Sequence, residues 1–277
     1  LGASVLGAPA FVALGLAPLD AVFESVSGIT STGLTLTQGT MDWPLAGHVL
    51  RAWMQWCGGF AIALAGVVLI LGPGASRGAA RALGRASIGE RDILSSTRAQ
   101  ARALLTAYGA LTLVAVVAFL PLFPTWWEGV VLALSAVSTG GFAPRPDSLA
   151  SYSRAAQAAV MLAGLATAVS LLFYMRARRD GLRAAFLGTN AAAVTAAAVG
   201  AALLAAVLHL SLGGDAAGAA DALLNTLSAA TTAGFSVAPV ADGPPVLLAV
   251  VLVAMAVGGG AGSTAGGLKI ERALTYA

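Results

Sequence analysis

Long apolar stretches recur along the chain, and they constrain its fold more than any other feature of the sequence. An α-helix needs roughly 17–25 mostly apolar residues to cross a bilayer. We predict complete spans at residues 49–71, 104–122, 155–174 and 189–212, part of a span at 1–16, and another span that begins at Val246. Charged residues are only 10% of the 277 residues, whereas a soluble domain carries about 25%. We therefore predict an all-α polytopic membrane protein.

The basic residues are concentrated on one side of the predicted spans. Twelve of the 15 Lys and Arg residues share this side: Arg77, Arg81, Arg85, Arg91, Arg98, Arg102, Arg176, Arg178, Arg179, Arg183, Lys269 and Arg272. Loops rich in Lys and Arg face the cytoplasm, so we predict a multi-pass protein of the cell membrane with this side inside. Because topology explains the basic excess, we expect the lipid bilayer as a partner and no nucleic acid.

A threefold internal repeat indicates how the spans are arranged. The copies align on Gly33, Gly141 and Gly234. Each copy has an acid, a serine and two adjacent hydroxyl residues at the same distances before its glycine: Asp20, Ser27, Thr30 and Ser31; Glu128, Ser135, Ser138 and Thr139; Asp221, Ser228, Thr231 and Thr232. A segment of about 10 residues, too short to cross a bilayer, leads into each glycine. The repeat predicts parallel units of helix, re-entrant pore helix, filter loop and helix around a central pore.

The acid at the start of each short segment has two possible roles. A carboxylate near a helix N-terminus complements the positive end of the helix dipole and can cap free N–H groups. We assign Asp20, Glu128 and Asp221 mainly to this structural role. Direct binding of a cation is the alternative.

The repeat also predicts the organisation of the chain. We expect a first pore repeat with a truncated outer helix, a basic cytoplasmic linker, a second pore repeat, a second basic linker, and a third repeat with an interrupted inner helix. Their ranges are residues 1–72, 73–102, 103–175, 176–186 and 187–277. The chain begins inside an apolar run without an initiator Met and ends where a helix resumes. We therefore expect a fragment from which a fourth repeat is missing.

The loops around the three glycines suit a cation selectivity filter. Irregular backbone at membrane depth is tolerated where protein buries it or where it lines a water-filled cavity. A ring of carbonyl oxygens can replace the hydration shell of potassium, and glycine adopts positive φ without a side chain to obstruct the axis. The candidate filter residues are Thr30, Ser31, Thr32, Gly33, Ser138, Thr139, Gly140, Gly141, Thr231, Thr232, Ala233 and Gly234. We expect potassium at the carbonyls of Gly33, Gly141 and Gly234.

A second glycine-rich segment interrupts the last apolar stretch. Six of the ten residues at 258–267 are glycines, and each costs about 1 kcal/mol relative to alanine inside a helix, so we expect the helix to break. The candidate gate residues are Gly258, Gly259, Gly260, Gly262, Ser263, Thr264, Gly266, Gly267 and Lys269. The two hydroxyl residues could satisfy freed backbone groups. Lys269 either extends to the membrane surface or helps control permeation.

Five motifs together resemble the Trk/Ktr/HKT potassium transporter superfamily, and most closely its bacterial Trk-type uptake membrane subunits. They are SGITSTG at 27–33, RAWMQWCGG at 51–59, STGGF at 138–142, TTAGF at 231–235 and GGGAGSTAGGLK at 258–269. The resemblance implies potassium uptake through a filter with one key glycine per repeat, above a glycine-rich loop that obstructs the pore until it moves. It also implies a homodimer and a cytoplasmic nucleotide-binding regulatory subunit. Gly33 favours potassium, because some sodium-favouring plant relatives carry serine there.

Two other classes of protein remain to be weighed. An ion-coupled secondary transporter, moving potassium with sodium or protons, would also use broken helices, but the predicted spans contain almost no ionisable residues. A membrane enzyme would need a cluster of His, Cys, Asp or Glu, which the sequence does not show. We therefore predict no enzymatic activity and no bound cofactor, with potassium as the substrate.

Overall fold

The computed structural model describes residues 2–37, 40–71, 97–241 and 243–276, and the regular structure within them is entirely helical. Twelve α-helices occur in this part of the chain: α1 (Gly2–Ala13), α2 (Pro18–Ile29), α3 (Leu45–Leu71), α4 (Thr97–Phe119), α5 (Trp126–Val137), α6 (Arg154–Ala168), α7 (Leu171–Asp180), α8 (Leu182–Gly188), α9 (Ala191–Ser211), α10 (Ala216–Ala230), α11 (Pro245–Val257) and α12 (Ile270–Tyr276). The predicted all-α class is confirmed. Arg77, Arg81, Arg85 and Arg91 of the predicted first linker lie outside the described residues.

Long helices are found where the apolar stretches predict them. Ala101–Phe119 within α4 and Ala191–Ser211 are each long and apolar enough to cross a membrane. Helix α3 has 27 residues, which at 1.5 Å per residue is about 40 Å. The predicted second linker, residues 176–186, is largely helical and lies in α7 and α8.

The predicted span at 155–174 is not one helix, and this prediction is corrected. Helix α6 ends at Ala168, α7 begins at Leu171, and the two are bent by 78°. The bend leaves the Ala168 carbonyl and the Leu171 N–H without partners in their own helices. Both form hydrogen bonds with the segment that follows α11. Gly260 N–H donates to Ala168 O at 2.9 Å, and Leu171 N–H donates to Gly262 O at 3.1 Å. A distant segment therefore stabilises the break.

Three short helices lie among the longer ones. Helices α2 and α5 have 12 residues and α10 has 15, so they are about 18–23 Å long, less than the roughly 30 Å of a bilayer core. Helix α2 packs against α1 and α3, α5 packs against α3, α4 and α6, and α10 packs against α6, α9 and α11. Each of these three helices thus packs against at least one longer helix, and its C-terminal end leads into one of the repeated glycines.

The repeat predicts that an acid at one fixed distance before the glycine starts each short helix. This is so for α2 and α5 but not for α10. Asp20 and Glu128 lie in the first turns of α2 and α5. Helix α10 begins almost one turn earlier relative to its glycine, and Asp215 caps it by accepting from Gly218 N–H at 2.9 Å. Asp221 lies within the helix and pairs with Arg154 instead. The prediction was wrong for Asp221, because the extra turn moved the N-terminus away from it.

Candidate functional site

The three glycine loops, residues 30–34, 138–142 and 231–235, share one backbone conformation. In each loop the glycine and the hydroxyl residue two positions before it have positive φ: Ser31 (53°) and Gly33 (80°), Thr139 (51°) and Gly141 (81°), Thr232 (53°) and Gly234 (78°). Positive φ is uncommon for any residue other than glycine and rarer still for a β-branched one such as Thr139 or Thr232, and such strain persists only where the surroundings impose it, often at functional sites. The same strained geometry is therefore built three times.

Each short helix ends in the same hydrogen-bond motif. An N–H in the loop donates to a carbonyl five residues earlier: Thr32 to Ser27 at 3.0 Å, Gly140 to Ser135 at 2.9 Å, and Ala233 to Ser228 at 3.0 Å. This is the Schellman type of helix ending, whose left-handed position usually holds glycine. Here it holds serine or threonine. Sequence reasoning identified the paired hydroxyl residues but did not predict that the second of each pair occupies the left-handed position. Their fixed distance before the glycine was the signal for this role.

The loops lie side by side in sequence order. A Cβ atom added to Gly33 would overlap the carbonyl oxygen of Gly140, and one added to Gly141 would overlap that of Ala233. A Cβ atom on Gly234 would meet no atom within 4 Å. Loop 30–34 therefore touches loop 138–142, which touches loop 231–235. The structure brings the predicted filter residues together, and two of the glycines are required both for positive φ and for close backbone approach.

Gln55 of α3 supports the second loop, and sequence reasoning missed it. Its side chain is fully buried. The amide nitrogen donates to Gly140 O at 2.5 Å, and the amide oxygen accepts from Ser135 Oγ at 2.6 Å and from Phe142 N–H at 3.2 Å. One residue thus bonds to the short helix, the strained turn and the residue after the glycine. A polar side chain within a mostly apolar helix was the available signal.

Arg51 lies one helical turn before Gln55 and contacts residues of two repeats, Glu24 in α2 and Phe142 in loop 138–142. Arg51 and Glu24 are both buried, with Nη2 and Oε2 3.5 Å apart. The guanidinium carbon lies 3.9 Å from the ring centre of Phe142, and Nη1 donates to Ala143 O at 3.4 Å. Removing one partner of a buried ion pair leaves an uncompensated charge and is strongly destabilising. We interpret this pair as part of the frame that positions loop 138–142.

Glu128 is held by protein groups on several sides. Its buried carboxylate accepts from Thr125 Oγ1 at 2.9 Å, from the Tyr152 hydroxyl at 3.0 Å and from Arg145 Nε at 3.1 Å. Burial, and then the negative charge of Glu128, raise the pKa of Tyr152 well above its usual value. Tyr152 therefore stays protonated and donates to the carboxylate. These contacts support the structural role predicted for Glu128.

Residues 258–269, here called the interrupting loop, separate α11 from α12. Gly258 adopts φ 69° and ψ −157°, a combination essentially restricted to glycine. Gly262, Gly267 and Lys269 also have positive φ. The Lys269 ammonium donates to Ala265 O within the loop. The predicted break is confirmed, and Lys269 folds back onto the loop instead of extending away from it.

The interrupting loop lies against the ends of two glycine-loop units. Thr264 Oγ1 donates to Val137 O at 3.3 Å, where α5 ends. Gly266 N–H donates to Thr232 Oγ1 in loop 231–235 at 2.6 Å. Ser263 Oγ donates to Gly260 O at 2.6 Å. The hydroxyl groups of Ser263 and Thr264 thus bond to backbone carbonyls, as predicted, and the loop lies next to the strained turns.

A carboxylate fixes the middle of the interrupting loop. Glu271, in the first turn of α12, is buried, and both of its oxygens accept from Ala261 N–H, at 3.0 and 3.1 Å. Hydrogen bonds to an ionised acceptor are stronger than those between neutral groups. Sequence reasoning did not select Glu271, since nothing local in the sequence connects it with a loop ten residues earlier.

Comparison with known proteins places these features in one family. The family described as TrkH, cation transport protein, matches residues 9–173 and 192–277. The Trk system potassium uptake protein TrkH of Halomonas elongata is 31% identical over 270 residues, covering 94% of this chain and 55% of that protein. Its counterpart from Vibrio parahaemolyticus is 29% identical over 269 residues, covering 92% and 54%.

A solved structure agrees with these sequence matches. The crystal structure of the potassium transporter TrkH from Vibrio parahaemolyticus superposes with a TM-score of 0.84 at 27% identity, covering 99% of this chain and 57% of that one. The chain therefore spans about half the length of the relatives it matches. The matches confirm the resemblance inferred from the loop motifs, and the family that they identify is described as one of cation transport proteins, not of enzymes.

Proposed function

The chain belongs to the TrkH family of cation transport proteins, and from this premise we propose that it forms three repeats of a potassium-conducting pore in the cell membrane. The relatives named above are potassium uptake proteins. We propose the same substrate here, with residues 30–34, 138–142 and 231–235 as parts of one selectivity filter.

The adjacency of the three identically strained loops carries this proposal. Gly33 and Gly141 each leave room for the carbonyl oxygen of the next loop along the chain. Equivalent carbonyls brought together in this way can surround a dehydrated potassium ion. The short helices α2, α5 and α10 direct their C-terminal ends, which carry partial negative charge, toward the loops. That charge favours a cation over an anion.

A fourth loop would complete the ring. The chain spans about half of its relatives' length, and the open flank of Gly234 is where we expect a loop from the remaining sequence. Potassium would then be bound by the carbonyls of Gly33, Gly141 and Gly234 together with the fourth loop. From the family we also propose a homodimer that works with a cytoplasmic nucleotide-binding regulatory subunit.

The interrupting loop is proposed as the gate. Residues 258–269 contact the end of α5 and loop 231–235 through Thr264 and Gly266. Hydrogen bonds hold much of this loop, and opening would require them to be exchanged. Movement of the loop away from the turns would open the path on the cytoplasmic side.

Ion flux through the full-length protein tests the filter. Gly33→Ala should lower the preference for potassium over sodium at least tenfold, because the new methyl group would overlap Gly140 O and φ would be strained. The measurement is potassium and sodium uptake into proteoliposomes. Gly109→Ala is the matched control, since its Cβ atom would meet nothing within 4 Å. An unchanged preference in Gly33→Ala would refute the filter assignment. Potassium uptake that required a sodium or proton gradient would favour a secondary transporter.

A further inference from the structure

An open groove of about 670 Å³ lies between α4 and α7, away from the glycine loops. On α4 its wall includes Ala103, Ala107 and Ala110, which are spaced so that they share one helix face. Their small side chains leave a shallow strip, and Leu111 and Val114 continue the apolar wall. The volume lies within the range of roughly 300–1,000 Å³ that is usual for sites of small ligands.

One end of the groove is basic. Among the described residues, Arg176, Arg178 and Arg179 of α7 line it together with a single acid, Asp180, so these basic groups exceed the acidic ones by two. Arg178 is exposed, and among the described residues it has no hydrogen-bond or ion-pair partner. Arg179 Nε is 3.7 Å from Asp180 Oδ1. A guanidinium group that is free of internal partners can bind phosphate through two parallel hydrogen bonds.

By the positive-inside rule, the basic end faces the cytoplasm. The apolar strip then extends from the cytoplasmic surface toward the membrane interior. From Thr106 to Val114, both of which line the groove, α4 rises about 12 Å. A ligand of this site must therefore be anionic at one end and apolar along its length. Basic pockets between membrane helices on this side are known to bind the headgroups of anionic lipids.

We propose that the groove between α4 and α7 is a binding site for an anionic phospholipid of the cytoplasmic leaflet. The phosphate binds Arg178 and Arg179, and an acyl chain lies along the alanine strip up to Val114. A free phosphate ion would use the arginines but leave the apolar wall uncovered. A zwitterionic lipid would fill the apolar wall but bring a positive charge toward the arginines. The site does not depend on ion conduction, so it stands separately from the proposed function.

Lipid retention by the full-length protein tests the basic end. Detergent-purified protein is incubated with phosphatidylglycerol or phosphatidylcholine, and bound lipid is counted by native mass spectrometry. The wild type should retain phosphatidylglycerol at least fivefold more than phosphatidylcholine. The double variant Arg178→Gln with Arg179→Gln should lose most of this difference. Arg183→Gln, which changes an exposed residue of α8 outside the groove, should keep it.

A second pair of variants tests the apolar wall with all charges intact. Val114→Trp fills the groove, whereas Val117→Trp places the same side chain on the same helix outside it. The two valines are similarly exposed, at 67% and 61%. Val114→Trp should reduce retention of phosphatidylglycerol several-fold, and Val117→Trp should not. Melting temperatures of all variants confirm folding.

Three results would overturn the proposal. The wild type could retain both lipids equally, which would show that the arginines do not select the headgroup. Arg183→Gln could lower retention as much as the double variant, which would show that net charge alone is responsible. Inorganic phosphate could displace the lipid at equal concentration, which would show that the apolar wall contributes nothing.

Discussion

The glycine loops and the interrupting loop are both rich in glycine, yet glycine serves different purposes in them. In the glycine loops it allows one backbone to approach the next, and the strained turn before it is held by buried side chains such as Gln55. In the interrupting loop it ends a helix, and much of the segment is held by hydrogen bonds to neighbours such as Ala168 and Glu271. Under the proposed function, the first arrangement has to stay rigid and the second has to be released.

This difference suggests separate tasks for the two regions. Buried side-chain anchors determine where the carbonyls lie, and ion preference should depend on them. If the interrupting loop is the proposed gate, the hydrogen bonds that hold it determine how often it opens, and total flux should depend on them. Variants in the glycine loops should therefore change ion preference, and variants in the interrupting loop should change total flux. Each prediction below tests whether these two effects are separate.

The largest effect is expected for Gly234→Ala in the full-length protein. In this chain the new methyl group would meet no atom within 4 Å, although φ at Gly234 is 78°. If a fourth loop lies against Gly234 as loop 231–235 lies against Gly141, the variant should lose ion preference as completely as Gly141→Ala, at least tenfold. Potassium and sodium uptake by both variants provides the comparison. A clearly milder Gly234→Ala would contradict a closed ring.

Gln55→Leu is expected to have the next largest effect, on ion preference more than on flux. It leaves Gly140 O, Ser135 Oγ and Phe142 N–H without the amide that bonds them, and each unsatisfied buried group costs about 1–3 kcal/mol. Loop 138–142 should lose its position, and the preference for potassium should fall several-fold. Ion uptake is measured together with the melting temperature.

Gln157→Leu is the control that separates loss of position in loop 138–142 from loss of overall stability. Gln157 is also buried, and its amide donates to Leu149 O at 2.9 Å and to Tyr152 O at 3.2 Å, neither of which belongs to the three loops. Both variants should lower the melting temperature, but only Gln55→Leu should change ion preference. If Gln157→Leu changed it equally, Gln55 would have no specific role in the filter.

Glu271→Gln should raise basal flux two- to fivefold without changing ion preference. The neutral amide weakens the charge-assisted bonds to Ala261 N–H, because such bonds are roughly twice as strong as neutral ones. The interrupting loop should then leave its position more often. Arg272→Gln, an exposed change at the next residue, is the control. Unchanged flux in Glu271→Gln would mean that the carboxylate does not hold the proposed gate closed.

Local sequence signals predicted much of the fold and the location of the candidate site. Apolar length predicted the long helices, and the repeated spacing before Gly33, Gly141 and Gly234 predicted the loops. The bend after Ala168 could not be predicted in this way, because its hydrogen-bond partners Gly260 and Gly262 lie about 90 residues away. Interactions that join distant segments leave no periodic pattern in the sequence.

The roles of individual polar residues were harder to predict for the same reason. Glu24 and Arg51 pair across 27 residues, and Gln55 reaches Gly140 across 85. Asp221 was assigned to a helix start on spacing alone, whereas the added turn of α10 gave that role to Asp215. Spacing within a repeat predicts equivalent positions, but a residue's contacts depend on which element packs beside it.

Thr232→Val should have the smallest effect, and it tests whether the two regions are coupled. Thr232 belongs to a glycine loop, but its hydroxyl oxygen accepts from Gly266 N–H of the interrupting loop. Valine keeps the β-branched shape and the strain at φ 53° while it removes this acceptor, so basal flux should rise about twofold, which corresponds to the lower end of the range for one neutral hydrogen bond. Thr139→Val imposes the same change in loop 138–142, where the hydroxyl donates to Ser138 O instead. Equal flux in the two variants would show that this hydrogen bond does not restrain the interrupting loop, and that the two regions work independently at this point.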